Sequence, residues 1–247
     1  MDFQIDGKSA LVCGASRGLG FACANALAHE GVRLTMTARN PDQLNQAAAR
    51  IEAETGRKPT VVAADMATKE GRERSLGACP RPDILVTNAG GPPGNDFRKL
   101  TLADWTVALE ANFLSAVELI RLTINHMASQ KYGRIVNITS MTVRMPVQNL
   151  DLSNGPRLAL TGYVAGVARQ MAPDQVTINN ILPGVTATER VQQLGETANK
   201  LIAKVPMGRA GTPSDFGAVC AFLCSQQANY ITGQNILVDG GLCAFTV

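Results

Sequence analysis

Residues 9–20, SALVCGASRGLG, constrain the fold more than any other segment of this chain. The short uncharged run from Ser9 to Cys13 has the composition of a strand buried on both faces. Gly14 cuts it, and a helical pattern runs from Gly18 to Glu30, with Ala22, Ala26 and Leu27 spaced to pack on a sheet. Gly31 ends that helix. A strand that turns straight into a helix at a glycine-rich corner is the first half of a βαβ unit.

The same alternation continues to the far end. Further strands are predicted at Val32 to Thr37, Pro59 to Ala63, Ile84 to Thr87, Arg134 to Thr139, Thr177 to Ile181 and Asn235 to Val238, which makes seven. Between them lie helical intervals at Asp42 to Glu54, Leu102 to Ser129, Ser153 to Met171 and Pro213 to Cys224, each long enough to cross from one parallel strand to the next. The expected class is α/β: a Rossmann-type doubly wound sheet of seven mainly parallel strands, with helices on both faces. With 247 residues, 45% of them hydrophobic, and no linker or repeat, a single domain over 1–247 is expected. Thr186 to Arg209 is less periodic and carries Gly195, Pro206 and Gly208; a mobile flap over a site and an ordinary surface excursion both fit it.

The glycine-rich corner has a specific chemistry. Gly14, Gly18 and Gly20, with Ser16, Arg17 and Leu19 between them, let the backbone approach a pyrophosphate while the helix N-terminus turns unpaired N–H groups toward it. At the end of the second strand, Thr37-Ala38-Arg39-Asn40 has no acid to hold a ribose 2′-hydroxyl. Arg39 and Arg17 could instead pair with a 2′-phosphate, which favours NADP(H) over NAD(H); as plain solvated charges they would carry no such preference.

Other classes are disfavoured. The net charge of +3, from 23 basic and 20 acidic side chains that are interspersed, makes no electrostatic case for nucleic acid. Six cysteines without a CxxC pair, and only two histidines, argue against metal and disulfide frameworks, so reduced thiols are expected. Cys220 and Cys224 share a helical face, as small packing residues do. The N-terminal stretch does not have the layout of a secretory signal, and no segment has eighteen uncharged apolar residues, so a cytoplasmic protein with no membrane partner is expected.

From here the motifs accumulate. The glycines are spaced GxxxGxG; Thr87-Asn88-Ala89-Gly90 follows the fourth strand; Asn112 lies in the long helical interval; Pro183-Gly184-Val185 follows the sixth strand, with Thr188 beyond it; Ile231-Thr232-Gly233-Gln234 and Val238-Asp239-Gly240-Gly241 flank the last strand. Over essentially its whole length the chain resembles the short-chain dehydrogenase/reductase family. The resemblance implies cofactor contacts from Asn88, Ala89 and Gly90, from Pro183, Gly184 and Val185, from Thr188 to the nicotinamide carboxamide, and from Asp65 and Met66 near the adenine. Asp65 could equally cap a loop.

The resemblance breaks at the reacting centre. Ser140 stands where the family's serine stabilises the reacting oxygen, but the family's tyrosine and lysine positions hold Ser153 and Arg157. Tyr163 lies ten residues past Ser153, has Val167 four residues later, and is expected to be a packing aromatic. An alkyl hydroxyl is far less acidic than a phenol, whose pKa is about 10, so Ser153 is a weak general acid. Arg157 can hold a ribose hydroxyl and supply fixed charge, but does not shuttle protons near neutrality. The replacement donor is left open between water ordered by Ser140, Ser153 and Asn112, and Asp151, which also suits a helix start. Gly91-Pro92-Pro93-Gly94 would stiffen a nearby loop, and Arg144 and Gln148 lie between Ser140 and Ser153; Arg144 could receive a carboxylate or phosphate, or simply sit in solvent.

The implied function is NADP(H)-dependent oxidoreduction of a small-molecule carbonyl or alcohol, with Ser140, Asn112, Ser153 and Arg157 as catalytic candidates and 3-oxoacyl-acyl-carrier-protein reductases as the members to compare. A non-catalytic NADP(H)-binding or scaffold protein is the alternative, and a lyase or isomerase has no positive sign. The resemblance also implies a homodimer or homotetramer joined through Leu102 to Ser129 and Ser153 to Met171, with the apolar run Leu242 to Val247 as a further contact.

Overall fold

The structure, a computed structural model, describes residues 2–193 and 195–244. Its centre is one seven-stranded sheet built from β1 (Ser9–Cys13), β2 (Arg33–Ala38), β3 (Thr60–Ala63), β4 (Ile84–Thr87), β5 (Gly133–Ile138), β6 (Val176–Pro183) and β7 (Asn235–Val238). The strand order is β3-β2-β1-β4-β5-β6-β7 and every pairing is parallel. A parallel sheet is covered on both sides, and β1 shows why its residues read as one apolar run. Ala10 and Val12 join one core, Leu11 and Cys13 the other, and each is at most 1% exposed.

The first core is closed by α1 (Gly18–His29), α2 (Pro41–Thr55) and α9 (Pro213–Cys224), through residues such as Leu27, Ile51 and Phe216. Gly217 lets α9 lie directly on α1, since a Cβ there would fall 2.5 Å from the Ala22 carbonyl oxygen. The second core is closed by α5 (Ser115–Ser129) and α6 (Asp151–Met171), through Leu119, Ile120, Leu160 and Val164.

The helices differ from the sequence expectation in several places. The interval Leu102 to Ser129 is not one α-helix: α4 (Leu102–Leu109) and α5 are joined by a π-helical turn, Glu110–Leu114. Lys69–Ala78 forms a further helix, α3, with Thr68 as its cap. The segment of weak periodicity contains two short helices, α7 (Glu189–Gln192) and α8 (Glu196–Ile202). Helix α6 also begins at Asp151 rather than Ser153, and β2 and β5 are shifted by one residue from their predicted spans.

Two further features shape the carboxyl end of the sheet. An isolated parallel bridge joins Thr186 to Gly211, with Gly211 N donating to Val185 O at 2.9 Å and Ala187 N donating to Gly211 O at 2.8 Å, so the excursion between them is closed at its base. Across the strands, Thr87 Oγ1 donates to Asn137 Oδ1 at 2.7 Å, Asn137 Nδ2 to Asn180 Oδ1 at 3.1 Å, and Asn180 Nδ2 to Asn235 Oδ1 at 2.8 Å. These four residues are register partners on β4, β5, β6 and β7. Of the C-terminal apolar run, residues 245–247 lie outside the described residues; Cys243 N donates to Asp239 Oδ2 at 2.8 Å.

No helix among the described residues is long and apolar enough to cross a membrane, and those residues contain no group of three or more His, Cys, Asp or Glu placed to hold a metal.

Candidate active site

Strands β1 and β4 are neighbours whose chains leave in opposite directions, β1 toward β2 and β4 toward β5. Ligands of such sheets bind at the carboxyl ends of the strands where the order reverses. That corner is built from glycines. Gly14 has φ +60°, and a Cβ there would lie 2.6 Å from Asn88 Nδ2; a Cβ on Gly20 would lie 2.2 Å from the Gly14 carbonyl oxygen. Asn88 Nδ2 donates to that same carbonyl at 3.3 Å, and Ala15 N donates to Thr37 O at 2.9 Å, which fixes the turn against β2 and β4.

Arg17 occupies the N-cap of α1 in extended conformation, its side chain makes no capping bond, and the first turn holds no acidic residue. The first-turn N–H groups are therefore free of side-chain acceptors from that turn, beside a corner that a Cβ at Gly14 or Gly20 would overcrowd. These residues fit the pyrophosphate of a dinucleotide. Cys13 at the base of the turn is fully buried, which pushes its thiol pKa up to about 12 and keeps it neutral. Ser16 and Leu19 are half-buried in the same turn.

At the adenosine end the candidate residues behave differently from one another. Arg39 is exposed beyond β2 and forms no ion pair or hydrogen bond among the described residues. Arg17 Nη1 is 2.9 Å from Glu189 Oε2, so this arginine already holds a carboxylate. Asp65 Oδ1 accepts from Ala67 N at 3.0 Å, and the Met66 carbonyl accepts from Arg72 Nη1 at 2.8 Å. The Asp65–Met66 turn is thus rigidly held, with the Asp65 side chain employed as a turn acceptor.

At the reacting centre, Ser140 caps a 3₁₀ turn (Met141–Val143), its Oγ accepting from Thr142 N at 3.2 Å. Ser153 and Arg157 are buried one turn apart on α6, and Arg157 Nε donates to Ser153 Oγ at 3.1 Å. The rest of the guanidinium is spread over backbone: Nη1 donates to Ile138 O at 2.9 Å and Thr139 O at 2.7 Å, and Nη2 to Ala89 O at 3.1 Å. Arg157 therefore ties the end of β5 to the Asn88-Ala89-Gly90 segment, a structural role that its position in the sequence did not announce.

Asn112 sits in the π-helical turn, 6% exposed, with Nδ2 donating to Ala108 O at 3.3 Å. Its Oδ1 is buried with no partner among the described residues. It borders a cavity of about 10 Å³, lined also by Thr87, Asn88, Ala89, Ser115 and Arg157. A space of that size takes about one water molecule. The structure thus brings Asn88, Ala89, Asn112 and Arg157 together, with Ser153 joined to them through Arg157.

The remaining candidates fall around this centre. Pro183 ends β6, Gly184 N donates to Val238 O at 3.0 Å, and a Cβ on Gly184 would meet Asp239 at 2.5 Å. Val185 is buried beside Gly211, and Thr188 is the N-cap of α7, with its methyl group 3.7 Å from where a Gly18 Cβ would stand. Asp151 opens α6 and makes no hydrogen bond to Ser140 or Ser153. Arg144 and Gln148 are exposed. Tyr163 packs edge-on against Phe113 with ring centroids 6.4 Å apart, and burial raises its pKa, as for a packing aromatic. Glu189 was not singled out from the sequence, because it reaches the site only through Arg17, 172 positions away; Ser115, three residues past Asn112 on the same helical stretch, was also missed, whereas Thr87 opens the Thr87-to-Gly90 motif.

A doubly wound parallel sheet with a glycine-lined corner at its switch point defines a dinucleotide-binding α/β protein. The sequence model of a family described as Enoyl-(Acyl carrier protein) reductase matches residues 14–243, and the chain belongs to this family of short-chain dehydrogenases/reductases. It is 31% identical over 248 residues to the 3-oxoacyl-[acyl-carrier-protein] reductase FabG of Aquifex aeolicus (strain VF5), covering 98% of this chain and 100% of the relative. It is 30% identical over 251 residues to the NADPH-dependent reductase BacG of Bacillus subtilis (strain 168), covering 95% and 97%. Among solved structures it is similar to L-sorbose reductase from Gluconobacter frateurii complexed with NADPH and L-sorbose, at 28% identity and a TM-score of 0.93, with 99% of this chain and 100% of that one covered.

Proposed function

We propose that this chain is an NADP(H)-dependent carbonyl reductase that interconverts a small-molecule carbonyl and its alcohol through an altered proton path. The observation that carries this reading is the glycine-built corner around Gly14, Gly18 and Gly20, whose shape suits a pyrophosphate and whose flank presents the unpaired Arg39 to a 2′-phosphate. Relatives named as NADPH-dependent, or solved with NADPH, support the cofactor, and 3-oxoacyl thioesters are the first substrates to try because a relative is named for them.

When bound, the nicotinamide supplies or accepts the hydride at the carbonyl carbon. Asp65, Met66, Asn88, Ala89 and Gly90 would line the path toward the adenosine and ribose, and Pro183, Gly184, Val185 and Thr188 the nicotinamide end. Ser140 polarises the carbonyl oxygen. Ser153 accepts a charge-assisted bond from Arg157, which leaves its own hydroxyl hydrogen to be donated and makes that donation easier. Water in the cavity that Asn112 and Arg157 line would supply the proton that replaces the one Ser153 donates. Exposed Leu102, Val107, Leu122 and Leu158 on α4 to α6 support association into a homodimer or homotetramer, for which a cytoplasmic location is proposed.

A second reading is favoured by Arg157: a guanidinium committed to three backbone carbonyls and a serine holds the site's shape without a tyrosine to activate, as a non-catalytic nucleotide-binding protein would need. The test is NADPH oxidation, followed by ultraviolet absorbance, over β-ketoacyl thioesters, ketones and quinones, with wild type, Ser153→Tyr and Ser153→Tyr/Arg157→Lys. Substrate-dependent turnover by wild type, accelerated about tenfold or more by the tyrosine, is the expected result. NADPH binding without wild-type turnover, and activity only in the variants, would move the assignment to a binding role; no NADPH binding at all would sink both.

A further inference from the structure

We infer that Glu189 is a specificity-determining residue for the dinucleotide: its carboxylate competes with the 2′-phosphate of NADP(H) for the Arg17 guanidinium and so sets the margin over NAD(H). The inference rests on the NADP(H) reading above.

Among the described residues, neither α1 nor the end of β2 supplies Arg17 with an acid. The first turn of α1 has none, and β2 ends in Thr37-Ala38-Arg39-Asn40. The carboxylate at this corner comes from 172 positions away, on the first residue of α7, and lies 2.9 Å from Arg17 Nη1. Its placement is built rather than incidental. Thr188, immediately before it, rests against Gly18, and the strand leading to it is stapled by the Thr186–Gly211 bridge and by the bonds from Gly211 N to Val185 O and Ala187 N to Gly211 O. Val191 N and Gln192 N both donate to the Thr188 carbonyl, so α7 starts at a fixed point.

Arg17 has one guanidinium and two anions to serve. A doubly charged 2′-phosphate arriving beside Glu189 shares the cation with a like charge or displaces it. NAD(H) brings a neutral hydroxyl to the same place and meets no such cost. Both side chains are more than half exposed, 58% and 63%, so water and salt screen the effect and keep it modest. The expectation is a gain of about two- to fivefold in NADPH affinity on removal of the charge, the range of one screened ion pair between groups this exposed.

The experiment is fluorescence titration of NADPH and of NADH into wild type, Glu189→Gln, Arg17→Ala and the double variant, at low salt and at about 0.5 M salt. Glu189→Gln should tighten NADPH about two- to fivefold at low salt, change NADH less than about 1.5-fold, and lose its advantage at high salt. In the Arg17→Ala background the same change should do nothing, because the shared cation is gone. An unchanged NADPH affinity, an equal gain for both dinucleotides, or a gain that persists without Arg17 would each overturn the inference. A wild type that binds NADPH no better than NADH would instead overturn the cofactor reading on which it rests.

Discussion

Replacing Gly20 by alanine sets two opposing effects against each other at one atom. Gly20 lies in the first turn of α1 at an ordinary helical φ, so the backbone accepts alanine, and helix propensity alone favours it by ~1 kcal/mol. The new methyl group, however, would stand 2.2 Å from the Gly14 carbonyl oxygen and 2.8 Å from Asn88 Nδ2. Relief requires the glycine-rich turn to move by nearly 1 Å, and forced overpacking of this kind costs ~3 kcal/mol when backbone is the obstacle. The net expectation is a loss of ~2 kcal/mol, a fall in Tm of ~4–8 °C for a chain of this size. Displacing the cradle should also weaken NADPH binding about tenfold or more, which is ~1.4 kcal/mol. Gly166→Ala on α6 is the matched control, because nothing lies within 4 Å of its Cβ position. It should stabilise by ~0.5–1 kcal/mol through propensity alone and leave NADPH affinity unchanged. Urea denaturation and NADPH fluorescence titration on the two variants decide the matter. If Gly20→Ala is as stable as Gly166→Ala and binds NADPH like wild type, the steric account of the corner is wrong.

Arg157→Lys should cost ~2–3 kcal/mol, since one ammonium cannot satisfy the Ile138, Thr139 and Ala89 carbonyls together with Ser153; an unfolding free energy within ~0.5 kcal/mol of wild type, on the scale of a surface substitution, would contradict the tie described for it. Burial holds the Cys13 thiol near pKa 12 and Cys243 near 11, and also raises Cys79, all above the ~8.5 of an unfolded thiol. Because the folded state keeps these protons longer, their contribution is complete below about pH 8.5 and is lost as pH climbs toward 12. Stability measured from about pH 8 to 10.5 should therefore fall, and a flat profile would count against it. Thr212→Ala removes the hydroxyl that accepts from Asp215 N at 3.1 Å and half of the capping box of α9, for an expected loss of ~1 kcal/mol in the same denaturation assay.

The strands and the glycine corner were legible because their physics is local. A parallel strand buried on both faces must be an unbroken apolar run, as Ala10-Leu11-Val12-Cys13 is, and a turn that needs φ +60° at Gly14 announces itself as glycine. Helix α3 was missed for the opposite reason: Lys69–Ala78 buries only Gly71 and Ser75, so it has no apolar stripe to read. Its start signal was present in Thr68, which accepts from Gly71 N. The π-helical turn at Asn112 escaped because inserting one residue into a helical pattern leaves the apolar spacing almost untouched. At the site, Ser153 and Arg157 could be located by counting, but the three carbonyls that Arg157 holds lie 18 to 68 positions away. The contact between Glu189 and Arg17 spans 172 positions and has no trace in local pattern.

The chain of hydrogen-bonded polar side chains across β4 to β7 answers a problem that apolar strands create for themselves. Sliding a parallel strand by two residues keeps every hydrophobic side chain on its proper face, so burial alone scarcely distinguishes the right alignment from that error. Thr87, Asn137, Asn180 and Asn235 do distinguish it, because they meet only in the native pairing. A two-residue slip at β6 would strand the Asn137 and Asn180 amides in a dry interior, at ~1–3 kcal/mol for each unmet group. The polar row acts as a key cut into an otherwise featureless hydrophobic surface, and it excludes misaligned sheets before any ligand is present to select among them.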